Sequence, residues 1–348
     1  MMSMYISILL SNHKNSLVAM KRRVVLRADA ARSIGFGHFV RTMALAAYLS
    51  RDFDCRVASF NPDLLRISDY QLGLIAEASA TPLHLEAADR DAYDAAFVES
   101  LDPEDIVVLD NYYYTAEYQQ LVRSRCRALV CIDDVHDRHF VADVVMTFCP
   151  LKRDDFSLEE YTRFFGGPEW SFLRAPFLTP SPSRSRDYVG RVVLAMGGAD
   201  PFRLTDRVIS LLREINADIH LNILAGPTVS VSHLDDPRIQ VIRQADARRI
   251  VELFDSADLG IFPASTVCME AFARRLPVAA GHYVDNQVEI YHYGAEHGWF
   301  FPLGSLLDDD DALRQRLSCA LSPECLISPP PVDFASRRND IIDIFKSL

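Results

Sequence analysis

Short apolar runs alternate along the chain with stretches of helical periodicity. Val24–Leu26 reads as a strand, and His38–Leu49, rich in Ala, Leu and Met, as a helix. Further strands are expected at Cys55–Phe60, Asp105–Asp110, Ala128–Asp134 and Asp143–Phe148. Runs this short and this continuously apolar suit strands covered on both faces by helices, which is the signature of a parallel sheet. The segment Leu178–Tyr188, dominated by Pro, Ser and Arg, breaks the pattern and reads as a linker. The alternation then restarts. Strands are expected at Arg191–Gly198, His220–Gly226, Ile239–Ile242, Leu259–Ser265 and Pro277–Gly281. Helices are expected at Ala247–Ala257, Thr266–Arg275 and Gln287–Gly298, with a closing helix at Asp333–Phe345. Asp308–Asp311 reads as a solvated helix N-terminus, where carboxylates complement the dipole. The fold class is therefore α/β: two doubly wound, Rossmann-like domains facing a central cleft, the default place for a site. The expected partition is an extension over 1–20, domains over 21–180 and 188–331, and a final helix over 332–348.

Composition narrows the function classes. The 348 residues are 49% hydrophobic, enough for two cores at roughly 150 residues per domain. A net charge of -12 argues against nucleic acid as a partner, which needs basic patches to displace counterions. It leaves room for a small anion in a locally positive pocket. The seven cysteines are scattered, with no CxxC pair, and read as reduced thiols of a cytoplasmic protein. The apolar run near Tyr5–Leu10 is too short to span a bilayer and lacks the flanks of a signal peptide. Met20 reads as the natural start, or residues 1–19 as a loose extension. No membrane partner, cofactor or metal is expected, and the chain is expected to act as a monomer.

The stretch "RADAARSIGFGHFVRTMALA" (Arg27–Ala46) carries the chemistry of the first half. Gly35 and Gly37 follow a strand, but a dinucleotide fingerprint would need a third glycine where Val40 stands, and an acid closing the second strand. The two glycines instead allow a sharp turn that brings a helix N-terminus to a ligand. His38 then lies in the first turn with Arg41 on the same face. The positive helix end disfavours a protonated ring, so His38 suits a base; the other reading is that it caps the helix and bonds the loop. Asp29, Asp110, Tyr112, Asp133 and Asp134 fall at or just past strand carboxyl ends. One of these acids can fix the histidine tautomer, but spacing does not say which. In the second half, Gly197 and Gly198 make either an anion-facing turn or a plain one. Ser265 and Thr266 cap a helix, bind phosphate, or do both. Asn286 and Gln287 open the next helix, placed to hydrogen-bond a sugar or phosphate; His282 and Tyr283 nearby are less specific.

These motifs resemble the UDP-2,4-diacetamido-2,4,6-trideoxy-β-L-altropyranose hydrolases of pseudaminic acid synthesis. Arg27, Asp29, Ile34, Gly35, Gly37, His38 and Arg41 fit that family's R-x-D and I-G-x-G-H-x-x-R. "LDNYYY", "CIDDVHDR", "AMGGAD", "PASTVCMEAF" and "VDNQ" follow in the family's order, so the likeness runs from about Arg23 to Gly298. The resemblance implies a GT-B-like fold and an inverting, metal-independent hydrolysis of the UDP-linked sugar at its anomeric carbon, with His38 as base. It implies a sugar side formed by Asp29, Gly35, Gly37, Arg41, Tyr112, Asp133, Asp134, Asn286 and Gln287, with Tyr112 holding an acetamido group or orienting water. It implies a UDP side formed by Gly197, Gly198, Ser265, Thr266 and Glu270, the last on the ribose hydroxyls or else simply solvated. The uracil is expected around Ile242–Ile250. UDP is already a good leaving group, so a single base suffices where ordinary glycosidases need two carboxyls. The alternatives are a glycosyltransferase of the same fold using a UDP-sugar donor and a non-catalytic nucleotide-sugar binder, which would have no need of His38.

Overall fold

The computed structural model describes residues 21–30, 35–61, 67–182, 188–198, 200–226, 229–232, 235–243 and 245–348. The expected extension over 1–20, Ile34 of the first motif, residues 183–187 of the linker and Gln244 of the expected uracil segment lie outside them.

Two parallel sheets organise the chain. The strands are β1 (Arg23–Ala28), β2 (Asp54–Ala58), β3 (Thr81–Pro82), β4 (Ile106–Asp110), β5 (Ala128–Ile132), β6 (His139–Phe140), β7 (Val144–Thr147), β8 (Ser157–Leu158) and β9 (Arg163–Gly166). The second half adds β10 (Arg191–Leu194), β11 (His220–Ala225), β12 (Ile239–Arg243), β13 (Leu259–Pro263), β14 (Val278–His282) and β15 (Phe301–Ser305). The first sheet has the order β3-β2-β1-β4-β5-β7-β9 and the second β12-β11-β10-β13-β14-β15, while β6 and β8 pair apart. The helices are α1 (Gly37–Leu49), α2 (Asp69–Glu77), α3 (Arg90–Glu99), α4 (Ala116–Arg123), α5 (Leu204–Ile215), α6 (Ala247–Ser256), α7 (Thr266–Ala273), α8 (Val288–Glu296), α9 (Asp310–Ala320) and α10 (Phe334–Lys346). Every residue of β4, β5 and β13 is buried, as the continuous apolar runs required.

Each sheet reverses its order once, between β1 and β4 and between β10 and β13. Connections leave a doubly wound sheet in opposite directions at such a point, and a crevice opens at the strands' carboxyl ends. The turn after β1 leads to His38, and the register that pairs Ala28 with Asp110 puts the acid ending β4 beside it. The turns after β10 and β13 carry Gly197 and Ser265.

The pattern reading missed several elements. Its named helices omitted α2, α3, α4 and α5, and its strands omitted β3, β6, β8, β9 and β15. β15, with the sequence FPLGS, contains a proline and a glycine that no strand pattern predicts; both are tolerated because it lies at the sheet edge. Asp309 caps α9 by accepting from the Ala312 N–H, so the acidic run is a helix start, as expected. Among the described residues, no helix is long and apolar enough to cross a membrane.

The closing helix α10 returns to the first half. Ile341, Ile344 and Phe345 are buried in the core formed by β1, β4, α1 and α2. Arg338 stacks over the Tyr48 ring at 5.1 Å and Arg337 over Trp170 at 4.6 Å. Phe345 is fully buried. Truncating it in Phe345→Ala is expected to destabilise the protein by about 3–5 kcal/mol, the cost of lost apolar burial plus a cavity, measured by denaturant unfolding.

Candidate functional site

The site grows from the turn between β1 and α1. Gly35 adopts φ +75, which a side chain would strain, and α1 begins at Gly37. Phe36, at the cap position, offers no side-chain bond, and no acid lies in the first turn. The positive end of α1 is therefore uncompensated, with His38 in it. His38 Nδ1 lies 2.7 Å from Asp110 Oδ1. Asp110 is fully buried at the end of β4 and accepts three further bonds from two partners: Arg41 Nη2 donates to Oδ1 at 2.6 Å, Arg41 Nε to Oδ2 at 2.8 Å, and Thr42 Oγ1 to Oδ2 at 2.7 Å. Burial alone would push this carboxyl's pKa up, but Arg41 and then His38 outweigh it and hold it well below the usual range. Asp110 is thus a carboxylate and can only accept. Arg41 Nη2 also lies 3.1 Å from His38 Nδ1, because both converge on Oδ1. A guanidinium cannot accept, so the carboxylate decides the tautomer: Nδ1 carries the proton, and Nε2 is left as the basic nitrogen.

A polar chain continues across the cleft. Arg41 Nη1 pairs with Asp134 Oδ2. Tyr112 donates to the same Asp134 oxygen at 3.3 Å, and Asn286 Nδ2, from the second half, donates to the Tyr112 hydroxyl at 3.2 Å. The Tyr112 ring stands edge-on to His38 with centroids 4.4 Å apart. Burial, and next the Asp134 charge, raise the Tyr112 pKa far above its ordinary value, so the phenol keeps its proton as a donor. A cavity of about 290 Å³ opens here, lined by His38, Arg41, Tyr112, Asp134, Asn286 and Gln287 among others.

A second cavity of about 320 Å³ adjoins it, sharing Phe36, Gly37, Arg41, Gly198, Ser265 and Thr266 as wall. Its apolar end is formed by Leu224, Ile242 and Ile250, and Glu270 lines it from α7. Gly197 adopts φ +90 in the turn after β10. The helix after that turn does not face the cavity with open N–H groups: Asp200 caps α5, accepting from Leu204 N–H at 2.8 Å and Thr205 N–H at 2.9 Å. The N-terminus of α7 differs. Ser265 sits at its cap position, yet its hydroxyl donates backwards to Pro263 O at 3.3 Å and makes no cap bond. Of the two helix starts, α7 is the one left open to an anion.

The structure brings together Gly35, Gly37, His38, Arg41, Tyr112, Asp134, Gly197, Gly198, Ser265, Thr266, Glu270, Asn286 and Gln287 on the walls of the two cavities. Two expected sugar-side residues are not there. Asp29 is fully buried; its oxygens take the Phe60 N–H at 2.7 Å, Arg90 Nη1 at 2.9 Å, Arg27 and the Tyr113 hydroxyl, so it ties loops behind the site. Asp133 is buried too, its Oδ1 accepting from the N–H groups of Val135 at 2.8 Å and His136 at 2.7 Å, which shapes the loop that presents Asp134. Gln287 spends its carbonyl on the Tyr283 N–H at 3.0 Å. Sequence reasoning gave no role to Phe36, Tyr70 and Arg174, which also line the second cavity. Nothing in their local sequence marks them; chain folding alone brings them there.

No family model matches the chain. It is 24% identical over 287 residues to an uncharacterized protein of Methanocaldococcus jannaschii, a match covering 77% of this chain and 57% of that protein. The chain thus spans little more than half the length of the curated relative it matches. Among solved structures it is similar to the UDP-GlcNAc 2-epimerase of Methanocaldococcus jannaschii in complex with UDP-GlcNAc and UDP, with a TM-score of 0.59, 13% identity, and coverage of 94% of this chain and 100% of that one. It is similar to MurG of Acinetobacter baumannii, with a TM-score of 0.58, 14% identity, and coverage of 94% and 100%. It is also similar to the calicheamicin glycosyltransferase CalG4, with a TM-score of 0.55, 14% identity, and coverage of 94% and 95%. At such identities the likeness speaks for the fold: two parallel-sheet, Rossmann-like domains of the GT-B type.

Proposed function

We propose that the protein hydrolyses a UDP-linked diacetamido-trideoxy sugar at its anomeric carbon, releasing UDP and the free sugar. One observation carries this reading: His38 is locked by a buried carboxylate with Nε2 as its basic nitrogen, on the wall of a cavity that adjoins a second one holding Glu270 and the open end of α7. The motif resemblance supports the identity of the sugar. The fold shared with an epimerase bound to UDP-GlcNAc and UDP supports the nucleotide.

In this reading the uridine lies in the second cavity, its base against Leu224, Ile242 and Ile250 and its ribose hydroxyls on Glu270. The diphosphate faces the N–H groups of Ser265 and Thr266, which balance its charge as it leaves. The sugar lies beside His38. Water attacks the anomeric carbon from the face opposite the diphosphate, with inversion. As the new C–O bond forms, His38 Nε2 takes a proton from the water. The bond from the anomeric carbon to the phosphate oxygen breaks, and its electron pair leaves with UDP. Asp110 stabilises the imidazolium that forms, as an acceptor that stays ionised. Tyr112 and Asn286 border the sugar and suit its acetamido groups. The same cleft would serve transfer to an acceptor hydroxyl, which the fold shared with MurG and CalG4 keeps in view.

The two readings part when the purified protein meets the UDP-sugar alone. A hydrolase releases UDP without acceptor, and in water enriched in heavy oxygen the label appears in the sugar; label in UDP would mean attack at phosphorus. Replacing the base in His38→Asn is expected to lower turnover by about 10²–10⁴-fold while UDP affinity, by calorimetry, stays within about threefold. Unchanged turnover would remove His38 from the mechanism. Asp110→Asn is expected to slow turnover by at least about 10²-fold, with UDP affinity again retained, because the amide no longer holds Nε2 as the basic nitrogen. Activity equal to the parent protein would show that the tautomer is held by something else.

A further inference from the structure

The carboxylate of Glu270 does not stand alone in its cavity. Its Oε1 accepts from Arg174 Nη2 at 2.8 Å and from Arg174 Nε at 3.2 Å, while Oε2 has no hydrogen-bond partner among the described residues. Both side chains are largely enclosed, at 13% and 15% exposure. The two bonds to one oxygen fix the plane of the carboxylate and leave the other oxygen open. Arg174 is in turn held firmly. Its guanidinium lies over the Phe177 ring at 5.2 Å. Its neighbour Leu173 is clamped on both sides by one hydroxyl: Tyr48 donates to the Leu173 carbonyl at 2.7 Å and accepts from the Leu173 N–H at 2.8 Å. Tyr48 stands near the far end of α1, the helix whose first turn carries His38. The arginine that grips Glu270 is therefore anchored, through one backbone clamp, to the helix that presents the candidate base.

We infer that Arg174 is a positioning and specificity-determining residue: it holds Glu270 with Oε2 turned toward the cavity, and so selects ribonucleotides over 2′-deoxyribonucleotides. The inference rests on the proposal that this cavity takes the uridine ribose. Two vicinal hydroxyls can then share the one fixed oxygen that Arg174 leaves open, each on one lone pair of Oε2. A nucleotide without the 2′-hydroxyl leaves part of that acceptor unpaired in an enclosed site, which is where a missing hydrogen bond costs most. A carboxylate freed from Arg174 would lose its fixed orientation, and with it the difference between the two ligands.

The test is calorimetric titration of the full chain with UDP and with 2′-deoxy-UDP. The parent protein is expected to prefer UDP by about tenfold or more, the worth of one charge-assisted hydrogen bond. In Arg174→Met the preference is expected to shrink to about threefold or less, and Arg174→Lys, which retains a cation, is expected to recover most of it. A parent-like preference in Arg174→Met overturns the inference. If circular dichroism shows that this variant does not fold, Arg174→Gln, polar but uncharged, is measured in its place with the same two outcomes. A merely structural role would weaken both ligands alike and leave their ratio unmoved, which also overturns it. Glu270→Gln separates the two levels. Loss of the preference in that variant with its retention in Arg174→Met defeats the arginine's role alone. A preference that survives Glu270→Gln, or a parent protein that does not bind UDP, defeats the ribose reading and the inference together.

Discussion

A single buried carboxylate organises the first half of the cleft. Asp110 stands at the end of the strand beside β1, with no water to solvate it, and is ionised because Arg41, Thr42 and His38 surround it with donors. Such a cluster is all or nothing. A buried ion left without its partner costs several kcal/mol, whereas the complete set is tolerated and rigid. Rigidity is what the imidazole needs. Its tautomer and the position of Nε2 follow from one hydrogen bond to a carboxylate that cannot move without breaking two bonds to Arg41.

That cluster also reaches the second half. Arg41 passes from Asp110 to Asp134, Asp134 to Tyr112, and Tyr112 to Asn286 across the cleft. On the far side, His136 Nε2 meets Glu289 Oε1 at 2.9 Å, a second polar link between the halves. On the wall of the second cavity, Arg174 joins the connecting segment to Glu270, and at the back α10 returns to pack on α1. The two sheets are thus tied at the front by hydrogen bonds that a ligand can rearrange, and at the back by packing that it does not touch. Groups on both walls of the cleft are held in a fixed relation, which is how an enclosed cleft would lower the entropic cost of bringing two reactants together.

The helix starts show why patterns of apolar residues are an incomplete guide. The helices α2, α3 and α4 were not named from periodicity, yet each begins at a residue able to cap it. Ser68 forms a capping box with Gln71, Asp89 accepts from the Ala92 N–H, and Thr115 accepts from the Tyr118 N–H. The cap chemistry was there to be read even where the apolar stripe was weak. The acids were harder. Asp29 and Asp133 occupy the same kind of position as Asp110 and Asp134, at or just after a strand end, but one pair supports loops and the other lines or orders the site. Their local sequences do not separate them, because the difference lies in which distant arginine, amide or hydroxyl arrives beside each.

The amino-acid sequence by itself determined the two-sheet α/β plan, the glycine turn before His38 and the groups gathered at the strand ends. These follow from short-range rules: continuous apolar runs bury on both faces, glycine admits a left-handed turn, and parallel strands present their carboxyl ends to one crevice. The tertiary structure decided which acid orients the histidine, that Asp200 closes one helix N-terminus while that of α7 stays open, and that Arg174 grips Glu270 from 96 residues away in the chain. Those outcomes depend on burial and on charges meeting at close range. Neither is a property of a residue's neighbours in sequence, so only the folded chain could assign them.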